Sequence, residues 1–135
     1  MYKSYNKESL LAMEIMKNYA STFILVLISS LLTFELHFHF VPSPVLSSCI
    51  IGLCFTLIPK RFETHGITYC GSFIGMTLSL FGNYPLYFLV AAMITSITFI
   101  ASKNRVMGYG GKLGSIAFLG SFASYLLIKV LNASL

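Results

Sequence analysis

The sequence predicts an all-α integral membrane protein, a bundle of about five transmembrane helices behind a short N-terminal interfacial segment. Two observations carry this prediction. Of the 135 residues, 56% are hydrophobic and only 10% are charged, whereas a soluble domain carries about 25% charged residues. The basic residues fall in short stretches between apolar runs rather than on one polar face. A soluble core of this size could not bury that much apolar surface, so lipid is the expected solvent.

Residues 1–18 are predicted to form the interfacial amphipathic segment, and residues 19–135 the transmembrane helical domain. The segment mixes charged residues with Leu, Ile and Met. Asn6 can cap a short helix, with Glu8 near its N-terminus, where a negative charge is favourable. Such a helix would lie in the headgroup layer of the membrane. The alternative is a docking helix for a partner protein.

Proline residues and basic pairs divide the rest of the chain into five predicted spans, which cover residues 19–36, 44–58, 67–81, 86–101 and 113–131. The second and third spans have about 15 residues each, or about 22 Å of helix against a hydrocarbon core of about 30 Å. Either flanking residues extend these helices, or the helices break within a protein-lined cavity. Burial of Lys60 and Arg61 in lipid would be costly, which favours five full crossings.

The net charge of +5 is interpreted as a signal of membrane topology, because cytoplasmic loops are enriched in Lys and Arg. With the N-terminus in the cytoplasm and the C-terminus outside, Lys129 is the only basic residue on the outer side. No nucleic-acid partner is expected. The lack of a transit-like segment rich in Arg and Ser favours a bacterial inner membrane. The inner basic residues are Lys3, Lys7, Lys17, Lys60, Arg61, Lys103, Arg105 and Lys112.

Two stretches of the chain, residues 44–76 and 85–119, share one plan. Each has a proline start, an apolar helix, a basic stretch and a Gly-Ser step, which is Gly71-Ser72 in the first and Gly114-Ser115 in the second. Both stretches would run in the same direction across the membrane, as in a parallel repeat. Chance convergence of two helical hairpins explains the same pattern. In a true duplication, the third and fifth spans would be equivalent helices that line a central site.

Small residues recur at helical spacing in the third and fifth spans. The pairs Gly71 with Gly75 and Gly110 with Gly114 have the spacing of close helix contacts. One interpretation is helix packing, and the other is a pathway lined by hydroxyl groups; in an oligomer the two can coexist. The predicted pathway or substrate-binding residues are Gly71, Ser72, Gly75, Gly111, Gly114 and Ser121.

Ionisable residues mark both ends of the predicted bundle. Glu35, His37 and His39 lie at the end of the first span, and we expect them at an outer mouth with a gating role. The alternatives there are an interfacial polar rim or a metal site. Arg105 and Lys112 would lie at the inner mouth, where the alternative is a role as positive-inside anchors. We expect no bound metal and no cofactor.

The predicted function is that of a transporter or channel, or a transporter subunit, for a small solute or ion. Because one copy has few helices with which to enclose a path, we expect a homo-oligomer or a complex with a second membrane subunit. The alternative is a non-transporting scaffold or assembly subunit that binds other transmembrane helices. Enzymatic activity is not expected, since the sequence contains none of the common catalytic motifs. Three cysteines in apolar runs predict structural, reduced thiols.

Overall fold

The computed structural model describes residues 2–40, 43–58, 62–77, 84–102 and 111–134, and only the backbone at residues 2–7, 62–63 and 84. Within these residues the fold is entirely helical, with no strand, which confirms the predicted class at that level. The helices are α1 (Tyr2–His39), α2 (Pro44–Leu57), α3 (Phe62–Gly75), α4 (Tyr84–Ser102) and α5 (Lys112–Ser134).

Three of the described helices are long and apolar enough to cross a membrane: α1 from Glu8 to His39, α4 from Pro85 to Ser102, and α5. Helices α2 and α3 have 14 residues each. At about 1.5 Å per residue each is about 21 Å long, which is shorter than a hydrocarbon core of about 30 Å. Three described helices therefore have the length and composition of transmembrane helices. Five complete crossings remain a prediction.

The helix ends follow from local chemistry. Ser43 has an extended backbone and Pro44 occupies the first turn of α2, where its missing N–H is not needed. Helix α3 begins at Phe62, earlier than the predicted 67, and ends at Gly75. The predicted turn at 82–85 falls partly outside the described residues. Helix α1 runs without a break through position 18, so the interfacial segment and the first span belong to one helix.

The packing partners show how the helices are oriented. Gly71 and Gly75 of α3 face, in the same order, Ser29 and Thr33 of α1, so these two helices are parallel. On α4, Phe88 meets Phe34 of α1 with ring centroids 5.2 Å apart, and the other end of α4 lies near Tyr19. Helices α1 and α4 are therefore antiparallel.

The bundle thus has two ends, named here after one residue at each. The Lys112 end carries the N-termini of α3 and α5 and the C-termini of α2 and α4. The His39 end carries the C-terminus of α1 and the N-terminus of α2.

Helix α3 lies at the centre of the fold, although it is one of the shortest. It contacts each of the other four described helices, whereas α2 contacts only α1 and α3. The core contains apolar side chains, of which Ile74 and Val26 are the largest that are fully buried, together with many hydroxyl residues. Among the described residues, the buried polar ones are all Ser or Thr: Thr22, Ser29, Ser30, Thr33, Ser47, Ser48, Thr68, Ser72, Thr95, Ser96 and Ser124.

The N-terminal part of α1 exposes its large apolar side chains. Leu10, Met13 and Met16 are 61%, 67% and 71% exposed. Contact with α4 begins only near Ile15, at an apolar groove between the two helices. Exposed apolar side chains are favourable in lipid or against a partner rather than in water. This is the chemistry that the sequence predicts for an interfacial or docking segment.

Candidate functional site

The glycines of α3 form a close contact with α1. A Cβ atom placed on Gly75 would collide with the carbonyl oxygen of Ser30 and lie 2.7 Å from the Cβ of Thr33. A Cβ atom on Gly71 would lie 2.7 Å from the carbonyl oxygen of Val26. Backbone therefore packs on backbone, and no space for a solute is left between the two helices. In this structure Gly71 and Gly75 serve helix packing.

The buried hydroxyl groups near this contact bond to carbonyls within their own helices. Ser72 donates to Tyr69 at 2.9 Å, and Thr33 donates to Ser29 at 2.8 Å. Ser124 in α5 likewise donates to Gly120 at 2.7 Å. Small hydroxyl residues allow helices to approach closely without leaving a donor unsatisfied. The buried Ser and Thr residues are thus consistent with helix packing along α3.

A second close contact joins α4 to α5 at Gly120. A Cβ atom there would collide with Thr95 Oγ1 and lie 3.3 Å from the carbonyl oxygen of Ala91. The hydroxyl of Thr95 is buried and has no hydrogen-bond partner among the described residues. Gly120 is not among the residues predicted from the sequence, although its spacing from Ser124 and Ala117 is a usable signal.

The α5 residues predicted to line a pathway lie elsewhere. Gly111 has a φ of 82°, a conformation that favours glycine, and it directly precedes α5. A Cβ atom placed on Gly111 or on Gly114 would have no other described atom within 4 Å. Ser121 is half-buried. The structure therefore does not bring Gly111 or Gly114 into contact with Gly71 and Gly75.

A cavity of about 640 Å³ opens at the Lys112 end, between the end of α2, the first half of α3, the end of α4 and the start of α5. Gly66 contributes no side chain, and a Cβ atom placed on it would lie 3.3 Å from Leu113. The Tyr69 ring packs closely on Gly52 of α2, where the absence of a side chain leaves room for the ring. The lining residues are Thr56, His65, Gly66, Tyr69, Phe99, Lys112 and Leu113.

The polar groups of this cavity are held in place by the helix ends. Lys112 Nζ donates to the carbonyl oxygen of Ser102 at 2.8 Å and so covers the C-terminus of α4, where a cation is favourable. An ammonium group has three donors, and Ser102 is the one described partner of Lys112 Nζ. Thr56 donates to Leu53 at 2.7 Å. None of the described residues that line the cavity is acidic.

The His39 end carries an exposed polar rim. Glu35 Oε2 lies 3.2 Å from His39 Nε2, one turn apart, and the two side chains are 62% and 57% exposed. His37 lies between them in sequence, on another face of α1, and is half-buried. The described residues contain no group of three or more His, Cys, Asp or Glu side chains able to hold a metal ion. A gating role for these three residues stays a prediction.

Of the predicted inner mouth, only Lys112 has a described position, because Arg105 lies outside the described residues.

The cysteines occupy two kinds of environment. Cys70 is buried, and its thiol contacts the carbonyl oxygen of Leu113 at 3.4 Å. Cys49 and Cys54 are exposed, and all three thiols are free.

Most of the cavity residues are not predicted by the sequence. Of the lining residues, only Lys112 is among the site residues that the sequence predicts. A further signal is nevertheless present, because His65 and Tyr69 are four residues apart and share one face of a helix. The contact between Tyr69 and Gly52 has no such signal, because it depends on how α2 packs against α3.

These features define a helical protein with three helices able to span a membrane, closed glycine contacts, and a cavity at one end of the bundle. Comparison of the chain with protein-family models, with curated proteins and with solved structures gives no significant match.

Proposed function

We propose that this protein is a membrane transport protein or transporter subunit, which takes up a small solute through the cavity at its Lys112 end. The proposed location is a bacterial inner membrane, with the N-terminus and the Lys112 end in the cytoplasm. The role is one of binding and passage rather than enzymatic catalysis. The observation that carries the proposal is the cavity itself, in contact with the central helix α3.

The size and lining of the cavity support this role. Binding sites for small molecules have volumes of about 300–1,000 Å³ and are mainly apolar with a few convergent polar groups. The cavity of about 640 Å³ combines Phe99 and Leu113 with the ammonium group of Lys112 and the hydroxyl of Thr56.

The closed contacts at Gly71 and Gly75 argue against a permanently open pore within one copy. Passage of a solute would need either a change in helix packing or a path between copies. The open surface around Gly114 supports the second route, because no described atom fills the space beside it. We therefore propose a homo-oligomer, or a complex with a second membrane subunit.

The test is solute flux across liposomes that contain the purified protein, with a panel of small anions and cations measured by electrical currents on a solid-supported membrane. Gly66→Leu should fill the cavity and abolish transport. Ala133→Leu introduces the same side chain at an exposed position at the far end of α5 and should leave transport unchanged. Equal currents from both variants would contradict the proposal, provided that both retain the helical content of the parent protein.

A scaffold that binds other transmembrane helices is the second candidate. The observation in its favour is the outward face of α5, where Phe118 and Phe122 are 64% and 48% exposed and stack with centroids 5.6 Å apart. Small residues beside such side chains let another helix approach. If Gly114→Leu dissociates the assembly, and no solute of the panel is ever transported by the parent protein, the scaffold function is supported and the transport function fails.

A further inference from the structure

We infer that the cavity at the Lys112 end binds an anionic amphiphile, with a phosphate or carboxylate group at Lys112 and an apolar part against Phe99 and Leu113. The inference rests on the proposed function in one respect, since it names the class of molecule loaded at that site. Binding can be measured at equilibrium, however, and so it can be separated from transport.

The charge of the ligand follows from the groups around the cavity. Lys112 is the one Lys, Arg, Asp or Glu among the described lining residues. The N-termini of α3 and α5 lie at this end with partial positive charges, and the C-termini of α2 and α4 lie there with partial negative charges. These helix ends largely offset one another, so the charge of Lys112 decides the sign. The opposing carbonyls of Ser102 and Leu53 already accept hydrogen bonds, from Lys112 and Thr56. Lys112 therefore favours an anion over a cation, because its ammonium group has three donors and Ser102 is its one described partner.

The apolar part of the ligand follows from the remaining walls. Phe99 and Leu113 line the cavity beside Gly66, whose missing side chain widens it. A hydrated inorganic anion would occupy a small part of about 640 Å³ and leave these side chains facing water. A molecule with both an anionic group and a short hydrocarbon chain binds Lys112 and covers the apolar side chains at the same time. Such a molecule has two possible sources, a lipid of the surrounding membrane or a free organic anion.

The experiment is calorimetric titration of the full protein in zwitterionic lipid nanodiscs with four probes: hexyl phosphate, inorganic phosphate, hexanol and hexyltrimethylammonium. Hexyl phosphate should bind at least about tenfold more tightly than the other three, because it is the one probe with both an anionic group and a hydrocarbon chain. Equal binding of the cationic and anionic probes would overturn the inference, and so would binding of inorganic phosphate as tight as that of hexyl phosphate.

Two variants locate the site. Lys112→Gln should weaken hexyl phosphate binding by about tenfold or more, and Lys112→Arg should largely restore it. Lys129→Gln is the matched control, because it removes the same charge from the opposite end of α5, where Lys129 is exposed. Loss of the bond between Lys112 and Ser102 could unfold the Lys112→Gln variant. In that case Gly66→Leu is the test variant, because its added side chain fills the cavity while Lys112 keeps its bond to Ser102. Unchanged binding in Gly66→Leu would overturn the inference.

The source of the ligand is decided by native mass spectrometry of protein extracted from its host membrane. An anionic lipid retained by the parent protein and lost in Lys112→Gln identifies the membrane as the source. Hexyl phosphate binding without any retained lipid identifies a free organic anion. Tight binding of hexyl phosphate without flux of any solute contradicts the transport proposal alone. Flux of cations without hexyl phosphate binding contradicts this inference alone.

Discussion

Replacement of Gly75 by alanine tests the contact between α1 and α3 most sharply. The added Cβ atom would collide with the carbonyl oxygen of Ser30 and lie 2.7 Å from the Cβ of Thr33, whereas carbon atoms in contact are about 3.5–4.0 Å apart. A backbone carbonyl cannot rotate away as a flexible side chain can. The two helices must therefore separate by about 1 Å at this point.

The expected cost of this separation is about 1–3 kcal/mol in the free energy of unfolding, which lowers the ratio of folded to unfolded protein by about five- to 150-fold. The assay is equilibrium unfolding in mixed micelles of a mild detergent and dodecyl sulfate, followed by circular dichroism. Gly114→Ala is the matched control, because it adds the same methyl group where no atom of another described residue lies within 4 Å. Its free energy of unfolding should be unchanged or higher by up to about 1 kcal/mol.

A third variant checks the geometry in detail. Gly71→Ala should destabilise the protein by a similar amount, and Ser29→Ala should not rescue it, because the carbonyl oxygen of Val26 still lies 2.7 Å from the added Cβ. If Gly75→Ala is as harmless as Gly114→Ala, the close packing of α1 on α3 described here is wrong.

Three further predictions concern the other contacts. Gly120→Ala should lower the free energy of unfolding by about 1–3 kcal/mol, and Thr95→Ala should partly restore it, since Thr95 Oγ1 is the closest atom to the added methyl group; a double-mutant cycle without positive coupling would refute this. Glu35→Gln should change that free energy by less than about 1 kcal/mol, because its contact with His39 is exposed; a larger change in the unfolding titration would assign the rim a structural role. Gly114→Leu should shift the oligomer towards smaller species in mass photometry, and an unchanged mass would remove this face from the interface.

Much of the fold is predictable because apolar length and proline positions determine helices locally. The sequence predicts α2 at 44–58, and the helix covers Pro44–Leu57, since Pro44 suits a helix start. It predicts α5 at 113–131, and the helix covers Lys112–Ser134. The predicted start of α3 is too late, because polar residues such as His65 and Thr64 lower the apolar signal without preventing a helix.

The candidate site is harder to predict because it depends on contacts between helices. The sequence contains glycines at helical spacing, but it does not reveal that Gly75 faces α1 closely while Gly114 faces open space. The side-chain types of the cavity are equally visible in the sequence. Only the packing of α2 against α3 and of α3 against α5 brings Thr56, Tyr69 and Leu113 around one cavity.

We conclude that the bundle is closed at Gly71 and Gly75, and we propose that it is open to a ligand at the Lys112 end. Single-particle imaging of the protein in lipid nanodiscs, with hexyl phosphate present, tests both statements in one measurement. We expect dry contacts at Gly71 and Gly75 and ligand density between Lys112 and Phe99. A hydrated passage along Gly71 and Gly75, with an empty cavity at the Lys112 end, would contradict both.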